Sequence, residues 1–202
     1  MNRRELLRNI SGVGLSGLWA GLVKAAEQCS FVPASGQICS CGIPPEKLAM
    51  IYGAQDCPMW CWAASAAMIF RYYGMEITQE EIVAAAYGQL ACAGANEQLM
   101  LMSLNRVWTC RNGNFRVTGD IFSVNPSTAI QDLRDENPLY IGVARQHVVV
   151  LTGATYVQTN FGPSIQQAIV RDPAPNSGGR RALSPQEWYA ITFSARVRVD
   201  AL

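Results

Sequence analysis

Ten consecutive uncharged residues, Cys61-Trp62-Ala63-Ala64-Ser65-Ala66-Ala67-Met68-Ile69-Phe70, set the strongest limit on how this chain folds. Alanine and long apolar side chains favour helix, and a helix with no charged face has to be buried on every side. The pattern predicts a central helix from Trp60 to Tyr73, ended by Gly74. Cys61, Ala64, Ser65, Met68 and Tyr72 share one side of it, and Ala63, Ala66 and Ala67 allow close packing. The residues just before, Gln55-Asp56-Cys57-Pro58-Met59, are turn-forming, so Cys61 falls in the first turn. Unused N–H groups and the positive end of the helix dipole favour a thiolate there. Cys61 is therefore the candidate nucleophile.

The chain has 202 residues, enough for one domain with a real core. After residue 25 the expected organisation is a helical half followed by a strand-rich half. Residues 26–54 read as a loop-rich lead-in, with Leu48 to Tyr52 as a short strand or turn. Thr78-Gln79-Glu80-Glu81 is a capping box that opens a second helix, to about Tyr87. Gly88 to Gly94 is a loop, Asn96 to Asn105 a third helix, and Trp108 to Asn114 a turn. Asn125-Pro126-Ser127 starts a fourth helix. Strands then follow at 138–143, 147–155 and 165–171. Residues 172–181 read as a polar loop, by composition a lip over a cleft. Ser184-Pro185-Gln186-Glu187 caps a last short helix, and 191–199 alternates as a closing strand. This is α+β organisation: a central helix packed on an antiparallel sheet.

The N-terminus is different in kind. Arg3-Arg4 is followed by Glu5-Leu6-Leu7, and then by an uncharged run from Ile10 to Val23. Val23-Lys24-Ala25 offers a cleavage site after Ala25. Residues 1–25 thus read as a signal peptide, similar to a twin-arginine signal. The apolar run falls short of the roughly 20 residues needed to span a bilayer. The expectation is an exported protein of residues 26–202, periplasmic or extracellular, without stable membrane insertion after cleavage. A lipoprotein reading through Cys29 is weak, because Ala26-Glu27-Gln28 is a poor approach to it. Without residues 1–25, 12 basic and 14 acidic side chains remain. That near-neutral balance implies no nucleic-acid partner. A monomer is expected.

The chain has seven cysteines: 29, 39, 41, 57, 61, 92 and 110. In an exported protein an odd count suggests paired cysteines and one thiol left over. Setting Cys61 aside leaves six, enough for three disulfides with 15 possible connectivities. Zinc is a competing use of Cys39 and Cys41 with Cys29 or Cys57. The single histidine and the lack of paired CxxC spacing count against it, so no metal or cofactor is expected.

Thiol hydrolysis of an acyl bond needs a proton carrier, a group to orient it, and donors for the oxyanion. His147 is the only histidine, so any imidazole chemistry must use it. It opens the strand His147-Val148-Val149-Val150-Leu151. Asp172 ends the next strand. A hairpin turning near Asn160 to Pro163 would bring Asp172 beside His147 as its orienter, with Asn176 the alternative. Gln55 lies six residues before Cys61, so a loop can bring its amide to the oxyanion. Trp60 and Trp62 are read as packing around the nucleophile, and Met59, Met68, Met100 and Met102 as core.

Gln55, followed by Trp60-Cys61-Trp62-Ala63-Ala64-Ser65, resembles the active-site segment of papain-like cysteine peptidases. The order Cys, His, Asp resembles theirs as well. His147-Val-Val-Val-Leu and Ile-Val-Arg-Asp172-Pro are similar to the compact bacterial members, including the peptidase C39-like and AvrRpt2-like groups. The resemblance covers roughly residues 50–175. It implies a papain-like fold and a cysteine peptidase acting on a peptide or protein. It also implies Cys61 as nucleophile, His147 as general base and acid, Asp172 as orienter and Gln55 in the oxyanion hole. Cys57 resembles the structural cysteine before the papain nucleophile, which makes Cys92 its implied partner. Papain has Asn where Asp172 stands, and Gly-Ser-Cys where this chain has Pro58-Met59-Trp60-Cys61. Three other readings compete: an acyltransferase or transglutaminase-like enzyme on the same scaffold, thiol–disulfide exchange through Cys57 and Cys61, and a non-catalytic binding domain.

Overall fold

The computed structural model describes residues 27–33, 36–143, 147–176 and 179–202. The expected signal segment lies outside the described residues. The first half contains β1 (Gln28–Val32), β2 (Gly36–Gly42), α1 (Pro45–Leu48), α2 (Cys61–Tyr72), α3 (Gln79–Tyr87), α4 (Glu97–Leu104), β3 (Arg106–Cys110) and β4 (Gly113–Phe122). The second contains α5 (Pro126–Arg134), β5 (Leu139–Val143), β6 (His147–Thr159), β7 (Gly162–Arg171), β8 (Arg180–Ala182), α6 (Pro185–Tyr189) and β9 (Phe193–Ala201). Among the described residues, all nine strands join one antiparallel sheet, in the order β1-β2-β6-β5-β9-β4-β3, with β7 on β6 and β8 on β7.

The α+β class holds, and the predicted helices stand where their caps put them. Thr78 and Glu81 close a capping box at α3, and Asn96 and Asn125 cap α4 and α5 with their side-chain oxygens. The separation into a helical and a sheet half does not hold. Residues 28–42, read as loop, form the β1–β2 hairpin, and residues 106–122 form the β3–β4 hairpin around the expected turn. Both hairpins lie at the rim of the sheet and expose residues on both faces, which blurs the period-two signal. Arg180 and Arg181, expected at the end of a loop, instead belong to β8 (Arg180–Ala182), which pairs with β7.

Alternation along β5 and β6 divides the interior in two. Tyr140, Val148 and Val150 face α2 and one core, whereas Leu139, Ile141, Val149 and Leu151 face α5 and the other. With both faces covered, every residue of β5 is buried. The ten residues from Cys61 to Phe70 are buried, as a charge-free helix requires. Met68 and Met100 are core residues as expected, but Met59 and Met102 are exposed, at 49% and 61%. At Gly142 a Cβ would stand 2.3 Å from the Phe193 ring, so only glycine allows β9 to bring that ring across β5. Among the described residues, no helix is long and apolar enough to cross a membrane.

The structure pairs Cys29 with Cys39 and Cys57 with Cys92, and Cys41, Cys61 and Cys110 carry thiols. The expectation of three disulfides and one remaining thiol is overturned. Cys41 is buried in the α5 core and Cys110 packs against the α2 core, on the opposite face of the sheet, so they do not meet. Burial pushes the Cys41 thiol up to about 11, which makes it inert at neutral pH. The cysteine count therefore does not single out Cys61.

Candidate active site

Cys61 is the first residue of α2 and is 9% exposed. The first turn of a helix presents N–H groups that helical bonding leaves over. Three links tie Cys61 and its neighbours to residues 91–93. The indole of Trp60 donates to the Ala91 carbonyl at 2.8 Å, the indole of Trp62 donates to Ala93 at 3.1 Å, and Cys57 is joined to Cys92 by a disulfide. Both tryptophans are buried, so neither indole N–H could go unpartnered without cost. The disulfide spans a sequence separation of 35 residues. Its replacement by two serines is expected to lower stability by about 3–4 kcal/mol, the loop-closure value for that length, read as a shift in the urea midpoint.

His147 begins β6, and two buried hydrogen bonds fix β5 and β6 against α2. The Ser65 hydroxyl donates to the Val148 carbonyl at 3.0 Å, and the Tyr140 hydroxyl donates to the Trp62 carbonyl at 3.0 Å. On one side the Cys61 sulfur lies close enough to the imidazole to favour its protonated form. On the other, Nε2 is 2.8 Å from Asp172 Oδ1. With Nε2 committed to Asp172, Nδ1 is the nitrogen left for the sulfur. The register of β6 and β7, Val150 opposite Arg171, places the two strand ends side by side, as the hairpin reading anticipated.

The Asp172 bond, and then the Cys61 bond, raise His147 to about 9 against the opposing effect of burial. The imidazole therefore carries its proton at neutral pH. Burial alone would raise Asp172, but hydrogen bonds from His147, the Ala174 N–H and Arg181 outweigh it and hold the carboxyl at about 2. Asp172 is 3% exposed. Asn176, the alternative orienter, is exposed.

Gln55 sits in the loop before Cys61. Its backbone N–H donates to Pro173 O at 2.8 Å, which ties the loop to the segment after Asp172. Its amide donates to the carbonyls of Cys57 at 3.0 Å and Pro58 at 2.7 Å. The amide thus braces the turn that leads into Cys61.

Two residues at this site carried no sequence signal for it. Arg181 donates to Asp172 Oδ2 at 2.6 Å, and Glu187 accepts from Arg181 at 2.8 and 3.0 Å. Glu187 was legible only as a capping residue. Arg181 lay inside a polar loop with nothing to distinguish it from Arg180. Beside His147 a cavity of about 810 Å³ opens, lined by Met59, Met100, Phe193, Asn96, Glu97 and Thr192 among others. Among the described residues, one group has the reach of a metal site, Glu27 with Cys29 and Cys39. Its two sulfurs are joined in a disulfide and are not available as thiolate ligands.

The arrangement places a thiol, a protonated imidazole and a buried carboxylate in one line, at the start of a helix and beside a cavity lined by both apolar and polar residues. Such a line suits nucleophilic attack on an acyl carbon followed by proton return. The family described as papain-like cysteine protease AvrRpt2 matches residues 46–189 of the chain. No curated protein matches it. Two solved structures are similar. One is a double glycine motif protease from an AMS/PCAT transporter in complex with the leader peptide (22% identity, 74% of this chain and 89% of that one, TM-score 0.48). The other is the peptidase domain of Streptococcus ComA, a bi-functional ABC transporter involved in a quorum-sensing pathway (17% identity, 74% and 97%, TM-score 0.51). The second shares the fold.

Proposed function

The chain belongs to the papain-like cysteine protease family of AvrRpt2, and from that membership we propose that it is an exported peptidase working through Cys61, His147 and Asp172. The observation that carries the reading is the contact line from thiol to imidazole to buried carboxylate. In the proposed cycle Cys61 attacks the peptide carbonyl as the thiolate, and a carbon–sulfur bond forms. The oxyanion meets the N–H groups of the first turn of α2. His147 then donates its proton to the departing amine, and the C–N bond breaks. The thioester is cleaved by a water molecule whose proton passes to His147. Asp172 keeps the imidazole aligned and stabilises its charged form.

Gln55 is proposed to help hold the oxyanion, its amide exchanging one of its two carbonyl partners for the negative oxygen. The cavity beside His147 is proposed to receive a substrate side chain. Export rests on the signal-like residues 1–25, and the two disulfides suit an oxidising compartment.

The test is chemical labelling with a thiol-directed epoxide, followed by digestion and mass spectrometry. Of the three thiols, Cys61 is expected to carry the label, and labelling is expected to stop cleavage of a peptide library. Label on Cys41 or Cys110, with Cys61 unmodified and cleavage intact, refutes the reading. Product masses recorded with an added amine distinguish water from amine as acyl acceptor.

A further inference from the structure

We propose that Arg181 is a positioning residue of the active site, fixing the Asp172 carboxylate in the plane that lets it accept the His147 N–H, with Glu187 as its anchor. The inference rests on the proposed role of Asp172 as orienter. Asp172 Oδ1 accepts from His147 Nε2 at 2.8 Å and from the Ala174 N–H at 2.9 Å. Those two bonds meet at one oxygen. Arg181 Nε donates to the second oxygen at 2.6 Å, so the carboxylate is gripped at both oxygens.

Arg181 is itself held from two directions. Its backbone pairs with Val170 across β7 and β8, which brings the residue back to the strand that ends just before Asp172. The far edge of its guanidinium grips both oxygens of Glu187, at 2.8 and 3.0 Å. Glu187 is fixed in turn by the capping box of α6, where its carboxylate accepts from the Ser184 N–H at 2.9 Å. A planar fork that serves two carboxylates at once is a property of arginine that lysine lacks.

His147 faces Asp172 from β6 and Arg181 from β8, with the Glu187 carboxylate of α6 behind Arg181 and the Cys61 sulfur of α2 behind His147. His147 and Arg181 are each 26% exposed and Asp172 3%, so solvent screens these groups only partly. Removing Arg181 takes a charge-assisted bond from a carboxylate that is 3% exposed, and the imidazole then loses part of its alignment.

The test is a double-mutant cycle of Arg181→Met and Asp172→Asn in the whole protein, with Arg181→Lys and Glu187→Gln alongside. The readouts are kcat and KM on one fluorogenic peptide chosen from a library, and the rate of epoxide alkylation at Cys61 against pH. Arg181→Met is expected to lower kcat by about 10²-fold, the scale of a misplaced catalytic group, with KM unchanged. The acid limb of alkylation should move to higher pH, because Asp172 then protonates more easily. Arg181→Lys should recover part of kcat, and in the Asp172→Asn background Arg181→Met should add nothing.

Wild-type kcat in Arg181→Met, with Asp172→Asn impaired, overturns the inference and leaves the role of Asp172 intact. Losses that simply add in the double variant overturn it as well, since Arg181 then acts elsewhere. Wild-type kcat in Asp172→Asn overturns both. Should Arg181→Met fail to fold, Glu187→Gln decides: a smaller loss in kcat at unchanged KM supports the inference, and wild-type kcat overturns it.

Discussion

Cys61→Ala is expected to lower kcat/KM for peptide cleavage by about 10⁶-fold, to the residue of catalysis that binding and oriented dipoles supply alone. The argument starts from the helix. Alanine is the best helix former, Cys61 is the first residue of a helix already rich in alanine, and only one sulfur atom is lost. The fold should therefore survive while the nucleophile disappears, and thermal unfolding read beside activity separates the two. A folded Cys61→Ala protein that still cleaves peptide would end the cysteine-nucleophile reading. The same variant addresses thiol–disulfide exchange. The Cys57–Cys92 bond already occupies one sulfur of the Cys57, Cys61 pair, so these two cysteines are not paired with each other.

His147→Ala is expected to produce a loss of the same order, about 10⁶-fold, because nucleophile and base act as a unit. It also has a signature in pH that Cys61→Ala lacks. In the wild type, activity should fall as pH rises through about 9, where His147 gives up its proton. The folded value lies above the ordinary 6.5, so the proton stabilises the native state. That contribution is complete below about 6.5, declines between 6.5 and 9, and is gone above. Thermal midpoints across this range should slope downward in the wild type and be flatter in His147→Ala. In Cys61→Ala, one of the bonds that raise His147 is missing, so the decline should finish at lower pH. Equal slopes in wild type and His147→Ala would remove the imidazolium from the account. At the acid end the sign reverses. Asp172 is held at about 2 against an ordinary 3.8, so its contribution is present above 3.8 and lost as pH falls toward 2.

The local signals in the chain were strong where one element decides its own structure. A charge-free alanine-rich run can only be a buried helix, and Thr78, Asn96, Asn125 and Ser184 announce helix starts because their side chains bond the first turn. The rim strands were harder to read. β1 and β3 expose residues on both faces, and without a buried face a strand leaves no alternation to find. Cysteine parity misled for a different reason. Whether two sulfurs meet depends on the side of the sheet each occupies, and Cys41 and Cys110 occupy opposite sides.

For the site, the sequence by itself determined the candidates: one histidine, a cysteine at a helix start, and an aspartate closing the strand after the histidine. Residue type and spacing along single elements carry that much, because they rest on local geometry. Tertiary structure decided how those candidates are held. It put Asp172 on His147 at 2.8 Å, turned the Gln55 amide onto the carbonyls of Cys57 and Pro58, and set Ser65 on Val148. It also brought Arg181 and Glu187 together behind Asp172. Contacts between residues far apart in the chain leave no periodic trace, since each is set by how strands pair and helices pack. A sequence can thus show which groups are available for chemistry at Cys61, while the pairing of β6, β7 and β8 determines which of them meet.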